Sequence, residues 1–341
     1  MTTTSSLAGR PRPSWRTRHP ALTDALVCDG LLPWSKVFLP PGAKLADVLQ
    51  RFHAQGVDHV SLTAAAGSDD HAVAFVRLGQ LRRELQSMTD WVRVAHQANE
   101  IRQAQIDGRL SVSFHFQTAT PFAADLDLVD AFRMAGVMRA IIAYNEANAF
   151  GDGCHEVRNA GLSRRGRDLL ARMDQAGMRV DLSHCGERTS FDALELPLAR
   201  PPIFSHSNAR ALFDHERNIS DAQIRACAER GGYIGVNGAG MFVGADGRAI
   251  PRVLSTHVAH IASIAGVESV GLGLDFMYLE GSDYGFFHAN RSRWPRGYPD
   301  PPWSFLQPEQ FGDLVDELAA RGFSAGELRG LLGENYLRLA C

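Results

Sequence analysis

Several common signatures are missing from this 341-residue chain, and each absence removes a class of function. No apolar run exceeds strand length, whereas a membrane-spanning helix needs about 20 apolar residues in a row. Charge of either sign is not in excess: 35 basic residues face 38 acidic ones, for a net charge of -3. That leaves no electrostatic footprint for nucleic acid or an anionic membrane surface. Cysteine is scarce, with five residues and no CxxC pair, so a disulfide framework is not expected and a reducing cytoplasm is. No GxGxxG or Walker loop marks a nucleotide site. The opening "MTTTSSLAGRPRPSWRTRHP" has arginines but no apolar core of a signal peptide, so residues 1–20 read as a flexible leader.

What is present is a regular alternation. Apolar strand-like runs fall at 25–28, 58–63, 110–116, 138–143, 178–183, 201–205, 232–236 and 269–274. Between them lie amphipathic helical patterns such as "LADVLQRFHAQG" and "RRGRDLLARMDQAG", several closing on Gly, the usual left-handed helix end. An eighth helix is expected near 308–321. Continuous apolar strands with helical crossovers imply a parallel sheet covered on both faces. Eight such units predict an α/β fold, a (β/α)8 TIM barrel, as a single domain over 21–341. An open doubly wound sheet is the alternative. Two long loops interrupt the pattern, 145–163 and the aromatic-rich, Pro- and Gly-rich 276–305, and long loops after barrel strands commonly carry function.

Residues just past barrel strands converge on one site. Here that ring is Asp29, Thr63, Gln117, Tyr144 with Asn145, His184, His206, Asn237 and Asp275. His184 ends "VDLSH" and His206 ends "PIFSH", on strands that would be neighbours. A lone strand-end histidine is commonly a hydrogen-bonded structural residue. A matched pair on successive strands, with an Asp closing the barrel, makes a divalent-metal site an equal reading. Asp275 could take a proton from a metal-bound water. Asn145 and Asn237 are candidates for substrate contact. His115, two residues before Gln117 in the same strand, is read as barrel core in preference to a spare ligand, and the other histidines as structural or surface.

The stretch "AYNEANAFGDGCHEVRNAGLSRRGRDLLARMDQAGMRVDLSHCG", with "PIFSHSNARALFDHERNISD", "GLGLDF" and "GENYLRL", resembles the renal (membrane) dipeptidases, peptidase family M19, among the metal-dependent amidohydrolase barrels. The resemblance runs from about residue 22 to the C-terminus. It implies a two-zinc site: a His-x-Asp pair on strand one and a bridging Glu on strand three for the first ion, and that Glu with two histidines for the second. His184 and His206 match those histidines, Asp275 the catalytic aspartate, and Arg217 an arginine that binds the substrate carboxylate. Tyr144 falls where some members have a histidine that steadies the tetrahedral intermediate. The chain departs from the pattern at strand one, where "VCDGLLPW" keeps only Asp29. It departs again at Gln117, which stands for the bridging Glu and cannot supply its negative charge.

The expected function is therefore dipeptidase-like hydrolysis of an amide bond in a small carboxylate-bearing molecule. Its cofactor would be zinc or another divalent ion, at most about one per chain, held by His184 and His206 with Gln117, Asp29 or Asp275. Lyase, isomerase or decarboxylase chemistry on an amino-acid derivative, and a catalytically inactive binding homologue, are the alternatives. Partners would be a small-molecule substrate, with no nucleic acid and no membrane; a homodimer is allowed for.

Overall fold

The computed structural model describes residues 11, 13–35, 37–293 and 298–341. Its strands are β1 (Cys28–Leu32), β2 (His59–Ala66), β3 (Val92–Val94), β4 (Leu110–Gln117), β5 (Val137–Ile141), β6 (Arg179–Asp181), β7 (Ile234–Val236) and β8 (Val270–Leu272). Parallel pairing joins β1, β2, β4, β5 and β6 in that order, and β7 to β8. The gap between β6 and β7 is bridged by residues 201–205, through parallel contacts of Asp181 with Ile203 and of Phe204 with Ile234. The last seam, β8 to β1, is stitched by Asp275 N–H to Leu31 O (3.1 Å) and Leu274 N–H to the Asp29 carboxylate (2.8 Å). The ring is the closed barrel that the alternation of strands and helices predicts. The helix Phe311–Ala320 is the expected eighth. Among the described residues no helix is long and apolar enough to cross a membrane.

The period-two alternation of the strands sorts the residues. Val60 and Leu62 of β2, with Val112, Phe114 and Phe116 of β4, are buried in the apolar layer that includes the helices. His59, Ser61, Thr63, Ser113, His115 and Gln117 occupy the opposite face and bond to one another. Arg139 on β5 reaches Asp181 (3.3 Å), Ser61 (3.2 Å) and the Tyr336 hydroxyl (3.3 Å), and donates to Gly30 O. The barrel interior is thus a connected polar network. Glycine is required where this interior is tightest: a Cβ on Gly235 or Gly273 would run into the Ser205 carbonyl.

Four details differ from the sequence expectation. The first strand lies three residues later than 25–28, because the apolar run leads into the barrel while Asp29, Gly30 and Leu31 form its wall. Asp29 is therefore inside a strand and not beyond its end. Residues 201–205 make barrel bridges without forming a regular strand. β3, a short strand paired outside β4, was not anticipated. Of the expected leader, residues 1–10 and 12 lie outside the described residues; the following helix Ser14–Arg18 is packed down, with Trp15 and Arg16 buried. The Trp15 indole donates to Gln55 O (2.9 Å), and Arg16 donates to the carbonyls of Leu22, Ala25 and Gly56.

Candidate active site

The carboxyl ends of the strands open into a cavity of about 240 Å³. Its lining includes Thr63, Gln117, Tyr144, Asn145, His184 and Asp275 from the expected ring. His206 lies behind His184 and is fully buried. The two histidines meet through their Nε2 atoms at 2.9 Å. Each ring is fixed from its other side: His184 Nδ1 meets Asn145 Oδ1 at 2.7 Å, and His206 Nδ1 meets Ser205 Oγ at 2.7 Å. Burial, reinforced by the nearby Arg217 guanidinium, pushes both imidazoles well below the ordinary histidine pKa, so both are neutral. The Tyr144 ring stacks on His184, with centroids 4.0 Å apart.

Three of these residues have backbones that L-amino acids rarely adopt: Asn145 (φ 60°), His184 (φ 66°) and Asp275 (φ 56°). Only five non-glycine residues among those described have positive φ, so the concentration at one site is informative. Such conformations cost about 1–3 kcal/mol each and persist where surroundings impose them, commonly at functional sites.

Asp275 receives a hydrogen bond from Asn237 Nδ2 (2.9 Å). Burial lifts its carboxyl to about 7, opposed by Arg217 and by Asn237. Asn237 itself is spent on Asp275, on Ala239 N–H (2.7 Å) and on Asn208, and does not line the cavity. Its Nδ2 is committed to the Asp275 carboxylate. Asp29 is likewise turned away from the cavity. Its Oδ1 accepts from Leu31 and Leu274 N–H, its Oδ2 has no partner, and burial raises it to about 7. Gln117 donates from Nε2 to Thr63 Oγ1 (2.8 Å), which also meets His115 Nε2 (2.9 Å). His115 Nδ1 meets Ser61 Oγ, so this histidine belongs to the barrel interior, as expected. Arg217 is buried, donates to His206 O (3.1 Å) and lies over the Phe242 ring. Its Nε has no partner, no carboxylate pairs with it among the described residues, and it does not line the cavity.

The donor set decides which metal arrangement fits. Two neutral imidazoles with converging Nε2 atoms and anchored Nδ1 atoms are oriented as metal ligands are. Among the described residues no third His, Cys, Asp or Glu joins them. Of the remaining candidates, Gln117 and Asp275 face the same cavity and Asp29 does not. With two neutral imidazoles, one amide and one carboxylate to offer, the residues fit one ion and do not fit a two-metal centre.

Sequence reasoning missed two features. One is the chain of Glu216 Oε2 to His155 Nδ1 (2.6 Å) and His155 Nε2 to the Tyr298 hydroxyl (3.3 Å), which reaches the cavity wall. "GDGCHE" showed an acid and a histidine, but the partner Glu216 is 61 residues away. The other is the wall itself, built partly from Trp34, Phe38, Met241 and Phe242; only the aromatic share of 276–305 was visible beforehand.

Comparison with known proteins bears on the family and the fold. The model of the membrane dipeptidase family, peptidase family M19, matches residues 62–340. An uncharacterized dipeptidase of Schizosaccharomyces pombe is 34% identical over 222 residues, 64% of this chain and 49% of the relative. This chain spans about half the length of the fission-yeast relatives it matches. An amidohydrolase from Pseudomonas aeruginosa superimposes with a TM-score of 0.84 at 25% identity, covering 94% of this chain and 97% of the other. A metallo peptidase from Rhodobacter sphaeroides, liganded with a phosphinate mimic of the dipeptide L-Ala-D-Ala, shares the fold with a TM-score of 0.73 at 21% identity, covering 92% and 98%.

Proposed function

Because the chain belongs to the membrane dipeptidase family, peptidase family M19, we propose that it is a hydrolase of an amide bond in a small carboxylate-bearing molecule such as a dipeptide. It works with at most one divalent ion, zinc or another. The observation that carries this reading is the His184–His206 pair, whose Nε2 atoms converge at 2.9 Å while Asn145 and Ser205 hold the opposite ring nitrogens. These two histidines would hold the ion, with the Gln117 amide oxygen as a further donor. When bound, the ion supplies Lewis acidity and lowers the pKa of a water.

The remaining chemistry belongs to the chain. Asp275, near 7 and steadied by Asn237, is suited to accept a proton and pass it to the leaving amine near neutrality. Tyr144 presents a phenol that desolvation holds above its ordinary pKa, so it is a hydrogen-bond donor for the carbonyl oxygen. Arg217, a buried cation lacking an acidic partner, supplies positive potential for the substrate carboxylate. The five free cysteines support a reducing, cytoplasmic location.

A non-hydrolytic enzyme is the second reading, favoured by one observation. Gln117 is built into the Thr63–His115 network, as a recruited residue would be. Elemental analysis of protein purified without chelator, beside a dipeptide hydrolysis panel, separates the two. We expect no more than one ion per chain, and turnover of at least one dipeptide. Two fully occupied neighbouring ions would overturn the single-ion assignment; absence of turnover across the panel in the metal-supplemented protein would overturn the hydrolase.

A further inference from the structure

The cavity is lined by two kinds of side chain. Gln117, Asn145, His184 and Asp275 are polar residues at the strand ends, and large apolar side chains make up much of the rest. The apolar wall is assembled from three separate segments: Trp34 and Phe38 after β1, Met241 after β7, and Met277, Phe287 and Trp303 after β8. The rings pack on one another, Phe287 against Trp303 at 4.5 Å and against Phe38 at 6.3 Å. Phe38, Met241, Met277 and Trp303 keep part of their surface uncovered. Apolar surface left in a concavity is a driving force for an apolar occupant.

Among the described residues, charge does not compete for this wall: the charged side chains that line the cavity besides Asp275 are Asp69, Arg77, Glu146 and Arg293. They are paired with each other, Asp69 with Arg77 and Glu146 with Arg293 at 3.7 Å. A substrate whose second end carried a negative charge would have to break one of those pairs or lie against the electron-rich faces of the aromatic rings. A flat apolar ring meets neither difficulty. The two methionines, unbranched and polarizable, adapt to such a ring.

From this we infer that the site selects a carboxylate-bearing substrate with a bulky aromatic substituent, the ring seated on the Trp34–Phe38–Met277 wall and the polar groups directed to the strand ends. The inference rests on the amide-hydrolase reading of the same site and names its substrate class. Aromatic packing of this extent is expected to favour a benzyl over a methyl substituent by about tenfold or more.

The test uses simple carboxylate probes that need no turnover: N-acetylphenylalanine, N-acetylalanine and N-acetylglutamate, each as both enantiomers, titrated into the full chain and followed by ligand-observed NMR and calorimetry. The phenylalanine probe should bind at least about tenfold tighter than the other two. In the Phe38→Ala and Met277→Ala variants, both at partly exposed positions, that ratio should fall at least threefold. Equal binding of the three probes, preference for the glutamate probe, or no binding at all overturns the proposal. Aromatic preference with no turnover of any dipeptide would leave it standing and remove the hydrolase. Dipeptide turnover without aromatic preference would do the reverse.

Discussion

Gln117 shows how much one atom changes the site. Its Nε2 donates to Thr63 Oγ1, and Thr63 in turn contacts His115. Replacing the amide by a carboxylate removes that donor and buries a charge that a single ion only partly offsets. Gln117→Glu is therefore expected to lower stability by about 1–3 kcal/mol and to leave metal content at one ion or fewer. Urea titration and elemental analysis check both. A variant that takes up two ions and gains dipeptidase activity would show Gln117 to be simple decay. Asp29 gives a pH prediction. Its carboxyl, unpartnered at Oδ2, is raised to about 7 from about 3.9 in an unfolded chain. The folded state therefore holds this proton more tightly. The contribution favours folding fully below about pH 4 and is lost as pH rises through 7. Asp29→Asn removes the titration, so its melting temperature relative to wild type should be higher at pH 8 than at pH 5. An identical difference at both pH values would exclude Asp29 as the titrating group.

Residue positions were read most accurately where a buried strand stops abruptly. His184, Gln117 and Asp275 line the cavity as expected: Gln117 is the last residue of β4, and His184 and Asp275 follow β6 and β8 by three residues. Asp29 was misplaced because "ALVC" is more apolar than the "CDGLL" that forms the strand, and the true register depends on contacts to Leu274, far away in sequence. Asn237 and Arg217 were read as substrate contacts; their partners Asp275, His206 and Phe242 are set by tertiary packing that no local pattern carries.

Among elements, the helix Ser14–Arg18 is the instructive case. Its sequence is polar and Arg-rich, yet Trp15 is 1% exposed and packs edge-on against Phe311 at 5.6 Å. Arg16 ties it to four backbone carbonyls. Five residues have negligible helix stability alone, so this helix exists because its tryptophan is buried. Trp15→Ala should cost about 3–5 kcal/mol, measured as a shift in urea midpoint. A loss under 1 kcal/mol would mean that the segment is only laid on the surface. Residues 201–205 make the opposite point: an apolar run reads as a strand, but two bridges suffice to close a barrel there.

At the scale of the whole molecule, Arg139 is the group that crosses the barrel. It links β5 to Gly30 on β1, Ser61 on β2, Asp181 on β6 and Tyr336 in the C-terminal helix. Both it and Asp181 are buried. Removing one partner leaves the other charge uncompensated, a loss of about 3–5 kcal/mol. Arg139→Met should destabilise by that amount, and Arg139→Met with Asp181→Asn by clearly less, since the asparagine keeps an acceptor for Ser183 and Ser205 N–H. A double-mutant cycle in denaturant measures this; a double mutant as unstable as the sum of the singles would show that the two charges are not coupled.

The aromatic wall also has an optical consequence. Of the four tryptophans among the described residues, Trp34 and Trp303 border the cavity, the first buried and the second partly open. A ring seated against Trp303 would strip water from its indole and shift its emission to the blue. The chain thus carries its own reporter of occupancy, and ligands can be ranked by intrinsic fluorescence before any reaction has been assigned.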